Sequence, residues 1–126
     1  MKTLLTAAAL ALTLATAAPA LAEPVAVLVA VPIPAGMPRD RLAGLFVAAV
    51  PDYAKVPGLV RKYFTIGDDN KAGGIYLWSS RAAAEAWYND AWQAGVLKRW
   101  GKPAEIHYFA VPATVDGQNV EGFKPQ

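Results

Sequence analysis

Seven consecutive apolar residues, Val25 to Val31, four of them valine, stand between Pro24 and Pro32. The run is too short to cross a membrane, and its length and branched side chains fit a strand covered on both faces. Val25, Val27, Val29 and Val31 fall on one side of such a strand, and Ala26, Leu28 and Ala30 on the other. A strand of this kind needs an apolar layer above it and another below. The rest of the chain has to supply both.

The segments that follow are short and punctuated by ten prolines and ten glycines. After the turn at 32–36, Pro38 sits where a first helical turn tolerates it, and Leu42, Leu45, Phe46, Ala49, Val50 and Tyr53 recur at helical spacing. Pro51 disfavours helical geometry at Val50, so this helix is expected to end there or kink before Tyr53. Pro57-Gly58 marks a break. Residues 59–66 carry Tyr63, Phe64, Thr65 and Ile66 and read as a second strand; a polar turn at 67–71 then joins it to a third strand over 73–78, antiparallel to it. Ser79 or Ser80 caps a second helix with Ala84, Trp87, Tyr88, Ala91 and Trp92 on one stripe and Arg81, Glu85, Asn89 and Gln93 on the other. Gly95 ends or bends it, a continuation over 96–100 closes at Gly101, and residues 104–111 make a last strand before a polar tail.

The order β-α-β-β-α-β, under the right-handed crossover rule, predicts an α+β, ferredoxin-like fold: a four-stranded antiparallel sheet with two helices on one face. The last strand is apolar on both sides as well, with Ile106, Tyr108 and Ala110 opposite His107, Phe109 and Val111. The uncovered sheet face is expected to pack against its copy in a homodimer.

Lys2, the apolar run 4–15 and the small residues Ala20-Leu21-Ala22 read as a signal peptide over 1–22, cleaved after Ala22. That leaves the domain over 23–113 and a tail over 114–126, periplasmic or secreted, with no membrane span after cleavage. Loss of Lys2 takes the formal charge from +2 to +1, so no groove for nucleic acid is indicated. Without cysteine and with one histidine, the chain cannot supply a disulfide, a thiolate nucleophile, a zinc cluster or a multi-histidine metal site.

Chemistry-bearing residues are few. Trp87, Tyr88 and Trp92, facing Tyr76 or Trp78 from the third strand, either wall a pocket for a flat apolar ligand or fill the core between helix and sheet. Ala83, Ala84 and Ala91 leave space beside those rings. His107 is the one side chain whose ordinary pKa suits a general base near neutrality, although a lone strand histidine is commonly structural. Arg61 either holds a phenolate or carboxylate or is a solvated or dimer-contact charge with its stem packed, and Asn89 can donate to an oxyanion, although its place on the polar stripe favours solvent. Gly73-Gly74 opens a strand, not a helix, so it is no phosphate loop.

Residues 56–63 (Val-Pro-Gly-Leu-Val-Arg-Lys-Tyr) and 71–78 (Lys-Ala-Gly-Gly-Ile-Tyr-Leu-Trp) together resemble the YdhR-type putative mono-oxygenases. The likeness covers a Pro-Gly before the second strand, a lysine four residues after that glycine (Lys62), an Ala-Gly-Gly-Ile-Tyr-Leu-aromatic third strand, and a helix carrying alanine and tyrosine; it extends over roughly residues 55–92. It implies a dimeric α/β barrel and oxygenation, cofactor-independent or haem-linked, of small aromatic or polyketide-like molecules. It also adds Lys62 and Tyr63 to the substrate-binding candidates. Trp78 and Trp87 reproduce a tryptophan spacing of the haem-degrading relatives, but Leu97 stands where their haem-ligating histidine is expected, so no haem is carried over. The expected function is an exported mono-oxygenase of a small aromatic or apolar molecule, with His107 and Arg61 as catalytic candidates and no metal, flavin or other cofactor. The alternative is a non-catalytic periplasmic small-molecule-binding or stress-related dimeric domain. A third reading, a purely structural dimer, predicts no cavity beside Trp87.

Overall fold

The computed structural model describes Ala11 and residues 22–117. The expected signal peptide, apart from Ala11 and Ala22, and residues 118–126 of the tail lie outside the described residues. In chain order the elements are β1 (Val25–Pro32), α1 (Arg39–Tyr53), β2 (Leu59–Ile66), β3 (Lys71–Trp78), α2 (Arg81–Trp87), α3 (Asp90–Trp100) and β4 (Glu105–Ala110). The strands form one sheet in the order β2-β3-β1-β4, every neighbour antiparallel, as a ferredoxin-like connection requires. Among the described residues no helix is long and apolar enough to cross a membrane.

Register decides which side chains meet. Val27 lies across from Tyr76 on β3 and Tyr108 on β4, whereas its neighbour Leu28 lies across from Ile75 and His107. The first set faces the helices: Val25, Val27 and Val29 pack with Tyr76, Trp78, Ala84 and Tyr88 in the main core. The second set, with Tyr63 and Phe109, forms the open face, where Tyr63, Ile75 and Phe109 are each about half exposed (51%, 45% and 52%). The sheet is therefore apolar on both sides, and this chain's helices cover one of them.

The helices differ most from expectation at the second one. The second helix is two helices: α2 starts at Ser80, whose hydroxyl accepts from the Ala83 N–H at 3.1 Å, and ends at Tyr88; α3 then restarts at Asn89, whose Oδ1 accepts from the Trp92 N–H at 2.9 Å. Asn89 is a helix cap, and its amide donates to the Ala86 carbonyl. The restart shifts the helical phase, so Ala91 is exposed and the inward stripe of α3 becomes Trp92, Val96 and Trp100. Gly95 lies within α3, and termination falls to Gly101 in the left-handed conformation at φ 77°. The first helix, meanwhile, runs through Pro51 to Tyr53.

Pro57-Gly58 has a packing reason. At φ 78°, Gly58 brings the chain against α2 so closely that a Cβ there would lie 2.5 Å from Ala83 Cβ.

Candidate active-site cleft

Lys62 is the centre of the site. On β2 it shares the helix-facing side with Phe64 and pairs across to Tyr76, while the last turn of α1 lowers Tyr53 onto it. Its Nζ lies 3.4 Å from the centroid of the Tyr53 ring, 3.8 Å from that of Phe64 and 4.6 Å from that of Tyr76. The stem lies across Gly74, where a Cβ would stand 2.8 Å from Lys62 Cε and 2.8 Å from the Tyr76 ring. The absence of a side chain at 74 is what lets the lysine lie flat on β3. Neither ion pair among the described residues includes Lys62. Burial away from water pulls its ammonium down to about 7. The negative ring faces oppose that loss of charge, so the amine is balanced between its two protonation states near neutrality.

The lysine borders a cleft of about 510 Å³ between α1, α3 and the sheet. Tyr76 and Phe64 line it from the sheet, Phe46 and Tyr53 from α1, and Trp92 and Trp100 from α3, with Asp52 and Arg99 as its charged helix residues. A wider groove of about 710 Å³ runs between α1 and β2 and shares Phe46, Tyr53, Lys62 and Phe64 with the cleft. Beneath the cleft Trp78 is fully buried and its Nε1 donates to the Tyr88 hydroxyl at 3.2 Å. The Tyr88 ring meets Tyr76, Trp78 and Trp92 edge-on at 5.5, 5.7 and 4.9 Å. Burial pushes both the Tyr76 and Tyr88 hydroxyls far above the usual phenol range, so they act as neutral groups.

The candidates from sequence thus divide. Lys62, Tyr76 and Trp92 line the cleft, and Trp78 and Tyr88 support it from the core. Trp87 packs edge-on against Tyr53 at 5.7 Å, outside the cleft lining, with its buried Nε1 unpartnered among the described residues. His107, a catalytic candidate from sequence, is exposed on the open sheet face, across from Leu28. Arg61 and Tyr63 are also exposed, joined by a 3.2 Å hydrogen bond, and reach only the outer groove. The period of two in β2 and β4 separates all three from the cleft. Tyr53, Phe46, Phe64 and Trp100 are site residues that sequence reasoning missed. The side shared by Lys62, Phe64 and Ile66 on β2 was the available signal. Among the described residues no group of three or more His, Asp or Glu side chains can hold a metal ion.

Solved structures of the same fold include NE2512, a protein of unknown function from Nitrosomonas europaea (15% identity, TM-score 0.61, covering 79% of this chain and 100% of that one). The ActVA-Orf6 monooxygenase of Streptomyces coelicolor, in complex with nanaomycin D, is similar at 17% identity and TM-score 0.54 over 77% of this chain and 94% of that one. SnoaB, a cofactor-independent oxygenase from Streptomyces nogalater, is similar at 19% identity and TM-score 0.53 over 76% and 100%. At these identities the likeness is one of fold. No curated protein matches significantly. The family model described as putative mono-oxygenase ydhR matches residues 28–115, from β1 to beyond β4. The chain therefore belongs to the ydhR putative mono-oxygenase family.

Proposed function

We propose that this protein is an exported, homodimeric mono-oxygenase that oxidises a small aromatic molecule with an ionisable hydroxyl or activated C–H, without metal or flavin. The observation that carries the reading is Lys62, a half-buried amine held against three ring faces in the wall of an aromatic cleft. Family membership supports the reaction class, the cofactor-independent relative SnoaB supports the absence of a cofactor, and the leader-like residues 1–22 support export.

Oxygenation of this kind draws its electrons from the substrate. The neutral Lys62 amine takes a proton from the bound molecule, and the ammonium so formed holds the resulting anion beside it. The ring faces of Tyr53, Phe64 and Tyr76 stabilise that ammonium. The electron-rich anion then reacts with dioxygen in a site where apolar walls limit water. For an anthrone-like ring methylene, one oxygen atom becomes a carbonyl and the other leaves with the two hydrogens as water. His107 and Arg61, on the other side of the sheet, are proposed to serve the dimer face.

Oxygen-electrode measurements with a panel of hydroquinones and anthrones test this. Uptake above the protein-free rate is expected for at least one of them, and uptake equal to that rate across the panel removes the enzyme reading. A specific observation favours a second one: Lys62 is the lone cleft residue that titrates near neutrality, a sparse acid–base set. Saturable quenching of tryptophan fluorescence without oxygen uptake selects the non-catalytic small-molecule-binding dimer.

A further inference from the structure

We propose that the Lys62 amine condenses reversibly with the carbonyl of an aromatic aldehyde entering the cleft between α1 and α3, forming an imine whose protonated form rests against Tyr53, Phe64 and Tyr76. This activity needs no dioxygen and does not depend on the oxygenase reading.

The geometry supplies what such a condensation requires. A lysine becomes a nucleophile when it loses its proton, and an apolar pocket without a carboxylate partner favours that loss. Lys62 sits in such a place, in no ion pair among the described residues. Burial brings its proton equilibrium to about pH 7. The charged or titratable groups around it are few: Asp52 and the Tyr53 hydroxyl from α1, the Tyr76 hydroxyl from β3, Arg99 from α3, and Arg61 and Tyr63 beside it on β2 but on the opposite face. Of these, the Tyr76 hydroxyl stays neutral through the working range.

The product fits the cage better than the reactant does. In the step, the nitrogen lone pair attacks the carbonyl carbon, the C=O bond is exchanged for C=N, and the carbonyl oxygen leaves with the two amine hydrogens as water. No electrons are exchanged, and solvent supplies the proton of the iminium. An ammonium is compact and strongly hydrated, so a dry site penalises it. An iminium spreads its charge onto carbon and the attached ring and demands less water. Aromatic faces favour poorly hydrated cations of that kind. The three rings, at 3.4, 3.8 and 4.6 Å from Nζ, therefore favour the iminium over the ammonium it replaces. Trp92, Trp100 and Phe46 border the space for the aldehyde's ring within about 510 Å³.

The test is site-resolved reductive trapping on the full-length folded protein. Protein is incubated anaerobically with 2-naphthaldehyde and sodium cyanoborohydride from pH 6 to 9.5, and the modified lysines are located by peptide mass mapping. Lys62 is expected to be alkylated at least about tenfold faster at pH 7 than the exposed Lys55 or Lys98, because roughly half of it is neutral there and only about one in a thousand of an ordinary lysine is. Its rate should level off above about pH 7. Formaldehyde in a parallel arm reports whether the amine is reachable at all. Alkylation of Lys62 by formaldehyde but not by naphthaldehyde overturns the proposal, since the cleft then rejects the aromatic carbonyl. Lys62 reacting no faster than the exposed lysines with both reagents also overturns it. Lys62→Arg, which keeps the charge and removes the nucleophile, should abolish the fast adduct with an unchanged circular dichroism spectrum.

Discussion

A lysine under three ring faces, in no ion pair among the described residues, sits between two preferences: the rings favour its charge and the loss of water disfavours it. If that amine is the base, Lys62→Met should lower the oxygen-uptake rate by about 10² to 10⁴, the usual contribution of a positioned base, while thermal unfolding shows a folded protein. Lys62→Arg should lose rate to a similar extent with a smaller change in KM, because it still offers a cation to an anionic ligand. In the wild type, kcat/KM should rise with pH through about 7 as the amine loses its proton, a limb that disappears in Lys62→Arg. Gly74→Ala should cut the rate at least about tenfold, since its Cβ would occupy the path of the lysine stem. At this scale the sequence was half legible. Lys62, Tyr76 and Trp92 stood out through the family resemblance and the aromatic stripe. His107 stood out for its ordinary pKa alone, and composition does not say which way a strand residue points.

Helix breaks set the site as much as strand register does. Asn89 restarts the helix after Tyr88, and the new phase turns Trp92, Val96 and Trp100 toward the cleft. Asn89→Ala should destabilise the fold by about 1 kcal/mol in urea unfolding, whereas Asn89→Gly should cost only a few tenths. A loss as small for alanine as for glycine would count against the capping role. The β-α-β-β-α-β order and the strand pairing were readable because periods of two and 3.6 separate cleanly at the prolines and glycines. The break was not readable. Ala84, Trp87, Tyr88, Ala91 and Trp92 fit one uninterrupted helix, and only the side-chain bond from Asn89 to the Trp92 N–H shows that they belong to two. At Pro51 the sequence left two outcomes open, an end or a kink, and the helix does not end there. α1 continues past it because Tyr53 is held by Phe64 and Trp87, with centroids at 5.2 and 5.7 Å, and tertiary packing outweighs a local propensity.

Over the whole molecule, the sheet that builds the cleft on one side leaves Tyr63, Ile75 and Phe109 exposed on the other. A contiguous apolar face of this kind calls for a partner surface, and a second copy is the cover proposed. Sedimentation at micromolar concentration should give a dimer, and Ile75→Glu should weaken it at least tenfold, since a charge would be buried at the centre of the contact. A compact wild-type monomer at those concentrations would remove the barrel assembly. The lysine also leaves a signature on the stability of the molecule. Between about pH 7 and its ordinary value near 10.4, the unfolded chain binds more protons at Lys62 than the folded one, so its contribution to stability rises with pH across that window and is least favourable below it. Relative to Lys62→Met, the wild type should gain up to about 1.4 kcal/mol per pH unit there. Base catalysis and imine formation both require an amine that releases its proton near neutrality. Heteronuclear NMR of ¹³C,¹⁵N-lysine-labelled protein follows each Cε–Nζ pair from pH 5 to 11. A Lys62 midpoint at about 7 is the expected result; a Lys62 midpoint at the ordinary lysine value of about 10.4 would contradict both.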